Sequence, residues 1–416
     1  MMDPRNESYC IYTQQDLVHL GILKNICSIE IMRHMNEKLN EEVCIETLSF
    51  LSGDTYLSEL PDATTLNNYL ERLSPACLSD LRRKMVTSLI RSKVFHKNRF
   101  FGKYWVVILD DTGLFHFRER HCENCLVTTV TDEDGKKHKN YYHKVLEAKI
   151  VLSDSIVISL GTEFIENEKE DVSKQDCENA AAKRLLERLK EEYPRLKICV
   201  LGDGLYGVEP LMKQCSEYGW KYVFSLTEGI QKNITKDYKD LEAGMKHERK
   251  GLCTEGGTGQ FYHGVEKLTE KTEIFNVFEY EYEQEKKDGE GKVSKTQIHF
   301  MWVSNLKLTE RNLEEFIRTG RKRWKIENEG FNNQKHGIYK IEHLNSRDTN
   351  AMKNHYLLTQ VADILMQLYL SCNKLVKAIS QSIKNTSSRL LESFRRQPIT
   401  PEDVSHISRY TTVHLE

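Results

Sequence analysis

Two apolar runs in this chain each stop on an aspartate. VVILDD (106–111) carries four apolar residues, three of them β-branched, straight into Asp110 and Asp111, and LKICVLGD (196–203) ends on Asp203. Both runs have the pattern of a buried strand. An unpaired buried carboxylate costs several kcal/mol, so a fold that ends two such strands in acids needs something to neutralise them. LDDTG and GDG are also good turn sequences, and for either aspartate alone a turn role is the commoner outcome. The two together, each after an apolar strand, point to one acidic site.

The strand order around these acids sets the architecture. YWVVILD is a strand, GLFHF follows after a short turn, and HKVLEAKIVL and IVISLGTEFI are further β-rich stretches. SKQDCENAAAKRLLERLKEEY reads as a helix with an apolar stripe of Ala181, Leu185, Leu186 and Leu189, opened by a capping box at Ser173 and Asp176. LKICVLGD is the next strand. GVEPLMKQCSEYG is a helix with Gly219 past its C-terminus, and KYVFSL is a strand again. Three strands that can pair as an antiparallel meander, then helix, strand, helix, strand, is the order of an α/β, RNase H-like mixed sheet flanked by helices. In that sheet the strands ending at Asp110 and Asp203 are neighbours.

The remainder divides around this core. Residues 1–103 read as helical and basic in part, and 104–226 as the first part of the α/β core. Residues 227–305 hold Gly-rich turns and alternating strands, a β-rich insertion. Residues 306–345 carry the final core helix, and 346–416 a C-terminal helical region. Net charge is −2, so a nucleic-acid partner must be held by local patches such as RKRWK (321–325) and the Lys and Arg of 82–103. No apolar run approaches the roughly 18 residues needed to span a bilayer, and MMDPRNESYC lacks the regions of a signal peptide. The expectation is a cytoplasmic protein with no membrane contact.

Two carboxylates a few Å apart repel unless a divalent cation lies between them. Mg²⁺, or Mn²⁺, suits such a pair, because it takes oxygen ligands and keeps positions open for water and phosphate. A third acid is expected in RWKIENEGFNNQK, where Arg323 and Glu327 are four apart and share a helical face. Glu329 lies about 200° further round, so only one of the two points inward. Strand phase does not choose between Asp110 and Asp111.

HCENCLVTTVTDEDGKKHKNYYH is a second informative stretch. Cys122, Cys125, His138 and His143 give Cys-x2-Cys-x12-His-x4-His, the spacing of a Cys2His2 zinc site, with His116, His121 and Cys177 as rival ligands. The segment between the pairs reads as a β-hairpin with a DG turn, so a zinc-stapled hairpin (116–143) is expected rather than a base-reading finger.

LDDTG, the LGDG strand end, MWVSNL and RWKIE together resemble a DDE insertion-sequence transposase, over about residues 105–340. The resemblance is to members with a β-insertion between the second aspartate and the glutamate, marked by Tyr-x2-Arg-x3-Glu-x6-Lys. Arg323 and Glu327 keep that spacing, but Gly320 stands at the Tyr position and Gln334 at the Lys position, with Lys335 one residue late. The resemblance implies Asp110, Asp203 and Glu327 as ligands of two Mg²⁺ ions. It implies hydrolysis at a transposon end, then attack of the freed 3′-OH on target DNA, by a homodimer on paired ends of double-stranded DNA. It also implies DNA contacts by Arg323, Arg321 and Lys335, and a base stacked on Trp302, for which sheet core is the competing role. Other readings of the same residues are a structure-specific nuclease that cuts without joining, an acid/base hydrolase without metal, and a zinc-stabilised DNA-binding protein without catalysis.

Overall fold

The computed structural model describes residues 3–120, 122–170, 172–227, 231–244, 249–252, 258–266, 274–287 and 293–413. Ten strands form one sheet: β1 (Trp105–Phe117), β2 (Leu126–Thr131), β3 (Lys137–Ser153), β4 (Ile156–Ile165), β5 (Ile198–Gly202), β6 (Lys221–Ser225), β7 (Arg249–Leu252), β8 (Thr258–Glu266), β9 (Ile274–Lys287) and β10 (Val293–Ser304). Their order is β2-β3-β1-β5-β6-β10-β9-β8-β7, with β4 also on β3. The centre, β4-β3-β1-β5-β6, is RNase H-like: β1 and β3 are antiparallel, and β1, β5 and β6 are parallel. β10 pairs antiparallel with β6, so the strands read as an insertion extend the same sheet.

Helices α1 (Gln14–Ile26), α2 (His34–Leu39), α3 (Glu42–Ser52), α4 (Ala63–Arg72) and α5 (Pro75–Arg91) precede the sheet. α6 (Glu178–Glu192) and α7 (Glu209–Glu217) cross between β4, β5 and β6, and α8 (Lys232–Gly244) follows β6. α9 (Leu313–Arg321) leads through a π-helical turn (Ile326–Phe331) into α10 (Asn332–His336). The long α11 (Thr349–Cys372) and three shorter C-terminal helices complete the chain.

Each face of the sheet has its own core. Val107 and Leu109 of β1 and Val200 of β5 point to the α6 stripe of Ala181, Leu185, Leu186 and Leu189, all fully buried. Each such leucine contributes about 2 kcal/mol of burial before entropy is counted. A Cβ at Gly161 of β4 would come within 2.9 Å of Leu185 and Leu189, so glycine lets α6 lie close on the sheet. The alternate residues, Val106, Ile108, Cys199 and Leu201, face Phe316 and Ile317 of α9 and Ile326 and Phe331 of the π turn. A third core joins α1–α4 to α11, whose residues are buried nearly all round.

Several local expectations change. The acids do not end β1. The strand runs on through LDDTG to Phe117, with a bulge between Gly113 and Phe115 where a turn was expected. β5 stops pairing with β1 at Ile108, so Asp110 and Asp111 sit where β1 loses its parallel neighbour. The capping box at Ser173 and Asp176 is absent: α6 begins at Glu178 with Cys177 as N-cap, and Asp176 instead receives Arg184. Gly219 does follow α7, at φ +71, the left-handed conformation that glycine tolerates.

Candidate active site

Strand order brings the two aspartates into one neighbourhood. Ile108 of β1 is opposite Leu201 of β5, the last pair of that ladder. Asp110 and Asp203 each lie two residues beyond it, where the strands have parted, and Asp203 is near enough for its charge to raise the Asp110 carboxyl. Asp203 closes its own loop by accepting the Leu205 N–H at 2.8 Å. Burial pushes the Asp110 carboxyl up to about 7; Arg323 opposes this, and Asp111 and Asp203 add to it. A carboxyl that holds its proton to neutrality beside two other acids is a site short of positive charge.

Side-chain alternation separates Asp110 from Asp111. Asp110 shares the face of Ile108, toward the π turn, while Asp111 shares the face of Leu109, toward α6. There Lys144 of β3 holds Asp111 at 2.6 Å and also binds Glu178 at the start of α6. Burial raises the Asp111 carboxyl, and the Lys144 contact pulls against it. Asp111 is thus tied into a structural ion cluster beneath the sheet.

The third segment arrives from α9. Arg323 lies in the turn after α9, and its guanidinium stands 3.9 Å from Asp110 and 4.9 Å from the ring centre of Trp324. Lys325 points elsewhere: it donates to the Asp154 carbonyl at 2.7 Å, at the β3–β4 turn, and pairs with Glu329 at 3.6 Å. Asp154 lies seven residues along β3 from Glu147, the partner of Asp110, and therefore some 20 Å from the acid pair. Glu329 goes with that far end. Glu327, four residues after Arg323, is exposed on the π turn, whose Ile326 and Phe331 are locked into the core with Ile108 and Leu201. π-helical turns are often found at functional sites.

The departures from the family motif have physical causes here. A Cβ at Gly320 would lie 2.7 Å from the Trp302 indole, so the indole fills the space that a residue-320 side chain would need. Trp302 is 3% exposed and stacks between Phe278 and Phe300. That overturns it as a base-stacking residue and makes it sheet core. Gln334 is fully buried and donates to Gln360 and Asp363, both at 3.0 Å, in a network reached by the buried Lys149. Lys335 pairs with Glu342 at 2.9 Å, and Arg321 lies over the Tyr282 ring.

A groove of about 870 Å³ opens beside the same turn, between the 97–100 segment, α9, and β9–β10. Lys97, Arg99, Arg318, Arg321, Lys322 and Lys325 line it; among the described residues the acids that line it are Asp154 and Glu315. Tyr282, Phe300 and the half-exposed Trp324 supply aromatic surface. Burial lowers the Lys322 ammonium, with Arg318 and Lys325 adding to the effect. The fold therefore joins two basic stretches that are far apart in sequence. Trp324 was not singled out from sequence; an aromatic among four cations in RKRWK was the available signal.

A separate cluster joins Cys122, Cys125 and His143, which could hold a metal ion. His138 is excluded from it. It pairs with Val130 near the hairpin tip, exposed, five residues from His143 along β3. His116 stacks on Tyr142, and Cys177 is the exposed N-cap of α6. His121 lies outside the described residues.

No described helix is long and apolar enough to cross a membrane. No curated protein matches the chain. Among solved structures, the cryo-EM structure of a piggyBac transposase synaptic complex with hairpin DNA is similar at a TM-score of 0.43 and 11% identity, over 98% of this chain and 79% of that one, too remote a likeness to bear on function. The family model described as "Transposase DDE domain" matches residues 101–362, a span that takes in Asp110, Asp203 and the Arg323–Glu327 turn; the chain belongs to that family.

Proposed function

We propose that this chain is a Mg²⁺-dependent transposase that cuts DNA at a transposon end and joins the freed 3′ end to a target. The observation that supports the reading is the acid pair: Asp110 and Asp203 follow neighbouring, paired strands closely enough to interact, and Arg323 of the turn that also bears Glu327 stands 3.9 Å from Asp110. The donor set fits a hard divalent ion, being carboxylates only, with Asp110 raised by burial and by like charge. Asp110, Asp203 and Glu327 would hold Mg²⁺, which when bound activates an attacking hydroxyl and stabilises the leaving oxygen.

The chain's own groups do the rest. Arg323, beside Asp110, is placed to fork onto a non-bridging oxygen of the scissile phosphate. Asp110 must give up its proton on loading, so affinity for the metal rises with pH through about 7. Away from the acids, the groove of Lys97, Arg99, Arg318 and Lys322 offers a path for the DNA backbone, with Trp324 available to an unpaired base.

Labelled DNA carrying the element's own ends tests this in one gel. Cleavage and strand joining should need Mg²⁺ or Mn²⁺, stop with EDTA, and be lost in Asp203→Asn and Glu327→Gln while binding persists. Cutting without joining would leave a nuclease. Binding with no cutting in any divalent ion would refute catalysis by this site.

A further inference from the structure

The Cys122–Cys125–His143 cluster lies apart from the acid pair, where a hairpin leaves the sheet. The two sulfurs are 3.5 Å apart, and each is 3.4 Å from His143 Nε2. A tetrahedral zinc with Zn–S of about 2.3 Å and Zn–N of about 2.0–2.1 Å has S–S and S–N edges of about 3.8 and 3.6 Å. The three donor atoms therefore stand within a few tenths of an ångström of three tetrahedral vertices. A disulfide would need its sulfurs at about 2.05 Å.

The cluster is built rather than accidental. Cys122 and Cys125 face the same way because Cys125 N–H closes a turn onto the Cys122 carbonyl. The loop after β4 clasps that turn from outside: Asn167 Nδ2 donates to the Cys125 carbonyl at 3.0 Å, and Asn124 Nδ2 donates to the Asn167 carbonyl at 2.9 Å. His143 comes from β3 opposite Phe115, at the bulge in β1, with its ring edge-on to Phe115 and Phe117. Cys125 is fully buried and His143 is 7% exposed, while Cys122 is half-buried, so two of the three donors are shielded from solvent.

We infer that Cys122, Cys125 and His143 bind one structural zinc ion that clamps the root of the β2–β3 ribbon to the core sheet. β1 pairs with β3 only as far as Tyr141, and beyond it Thr128–Thr131 and Lys137–Asn140 continue as an exposed two-stranded ribbon. Such a ribbon is marginally stable alone. The ion ties its base to β1, β3 and the β4 loop at one point. The next residue along β3, Lys144, holds Asp111 and Glu178, so the same clamp steadies the strand that carries the acids. This inference stands whether or not the chain is a transposase.

Metal analysis of the reduced full-length protein, purified without added metal or chelator, is expected to give about one zinc per chain. Cys125→Ser and His143→Ala should lose it, and His138→Ala should keep it. Should Cys125→Ser fail to fold, replacing zinc with Co²⁺ in the wild type gives a second readout: intense thiolate-to-cobalt absorption at tetrahedral energies. Amide exchange of 128–140 should quicken on chelation while β5 and β6 stay protected. A wild type without zinc even after zinc supplementation, a six-coordinate oxygen-type cobalt spectrum, or His138→Ala losing metal as fully as His143→Ala would each overturn the site.

Discussion

Replacing Asp110 by Asn should make the protein more stable and catalytically dead. Asp110 titrates near 7 in the folded chain against an ordinary value of 3.8, because burial and the neighbouring acids disfavour its charge. A raised acid pKa means that the folded state holds the proton while the unfolded state has lost it. Stability from this group therefore falls as pH rises from about 4 to about 7, and the full cost applies above that. The gap corresponds to about 4 kcal/mol, an upper figure because about a fifth of the side chain is exposed. Asparagine keeps the shape and carries no charge, so Asp110→Asn should exceed the wild type by no more than about 1 kcal/mol at pH 4.5 and by about 2–4 kcal/mol at pH 8 in EDTA. Urea unfolding at the two pH values reads the difference directly. Adding Mg²⁺ at pH 8 should close the gap by stabilising the wild type, by about 2.7 kcal/mol at a hundredfold excess over Kd. The reasoning is refuted if Asp110→Asn is no more stable than the wild type at pH 8, or if its advantage is the same at both pH values.

Gly320→Tyr should destabilise by several kcal/mol, because its Cβ meets the Trp302 indole at 2.7 Å. Trp302→Ala alone should cost about 3–5 kcal/mol, and the double variant less than the sum, measured as a double-mutant cycle. Arg318→Ala with Lys322→Ala should weaken DNA binding and reduce the slope of log K against log salt by about two, whatever the DNA sequence; an unchanged slope would remove the groove from the DNA path. Lys144→Met should cost about 2 kcal/mol or more, since it strands Asp111 and Glu178 without their shared cation. A melting temperature equal to wild type would show that cluster to be idle.

The sequence carried the strand order because each core strand alternates or runs apolar with period two, and the α6 stripe reads at helical spacing. It carried the neighbourhood of the strands that lead to Asp110 and Asp203, because that follows from strand order alone. It could not choose Asp110 over Asp111: the choice depends on which face α6 covers, and on Lys144, which lies across the sheet on β3. It placed a turn at LDDTG because Asp, Thr and Gly favour turns, whereas β3 pairing and a bulge keep the strand going. His138 fitted a zinc spacing in one dimension, but a strand puts five residues about 17 Å apart, out of reach of a shared ion. Trp302 and Gly320 could not be linked from sequence, since their contact exists only once β10 lies under α9.

That contact has a mechanical consequence. The indole wedged against Gly320 belongs to the outer half of the sheet, and Gly320 is three residues ahead of Arg323. Any tilt of the outer strands, such as one imposed by a ligand seated on them, would push on the α9 backbone and travel within one helical turn to the arginine beside Asp110. The two positions are also sterically exclusive here: a side chain at 320 and the Trp302 indole would compete for one space.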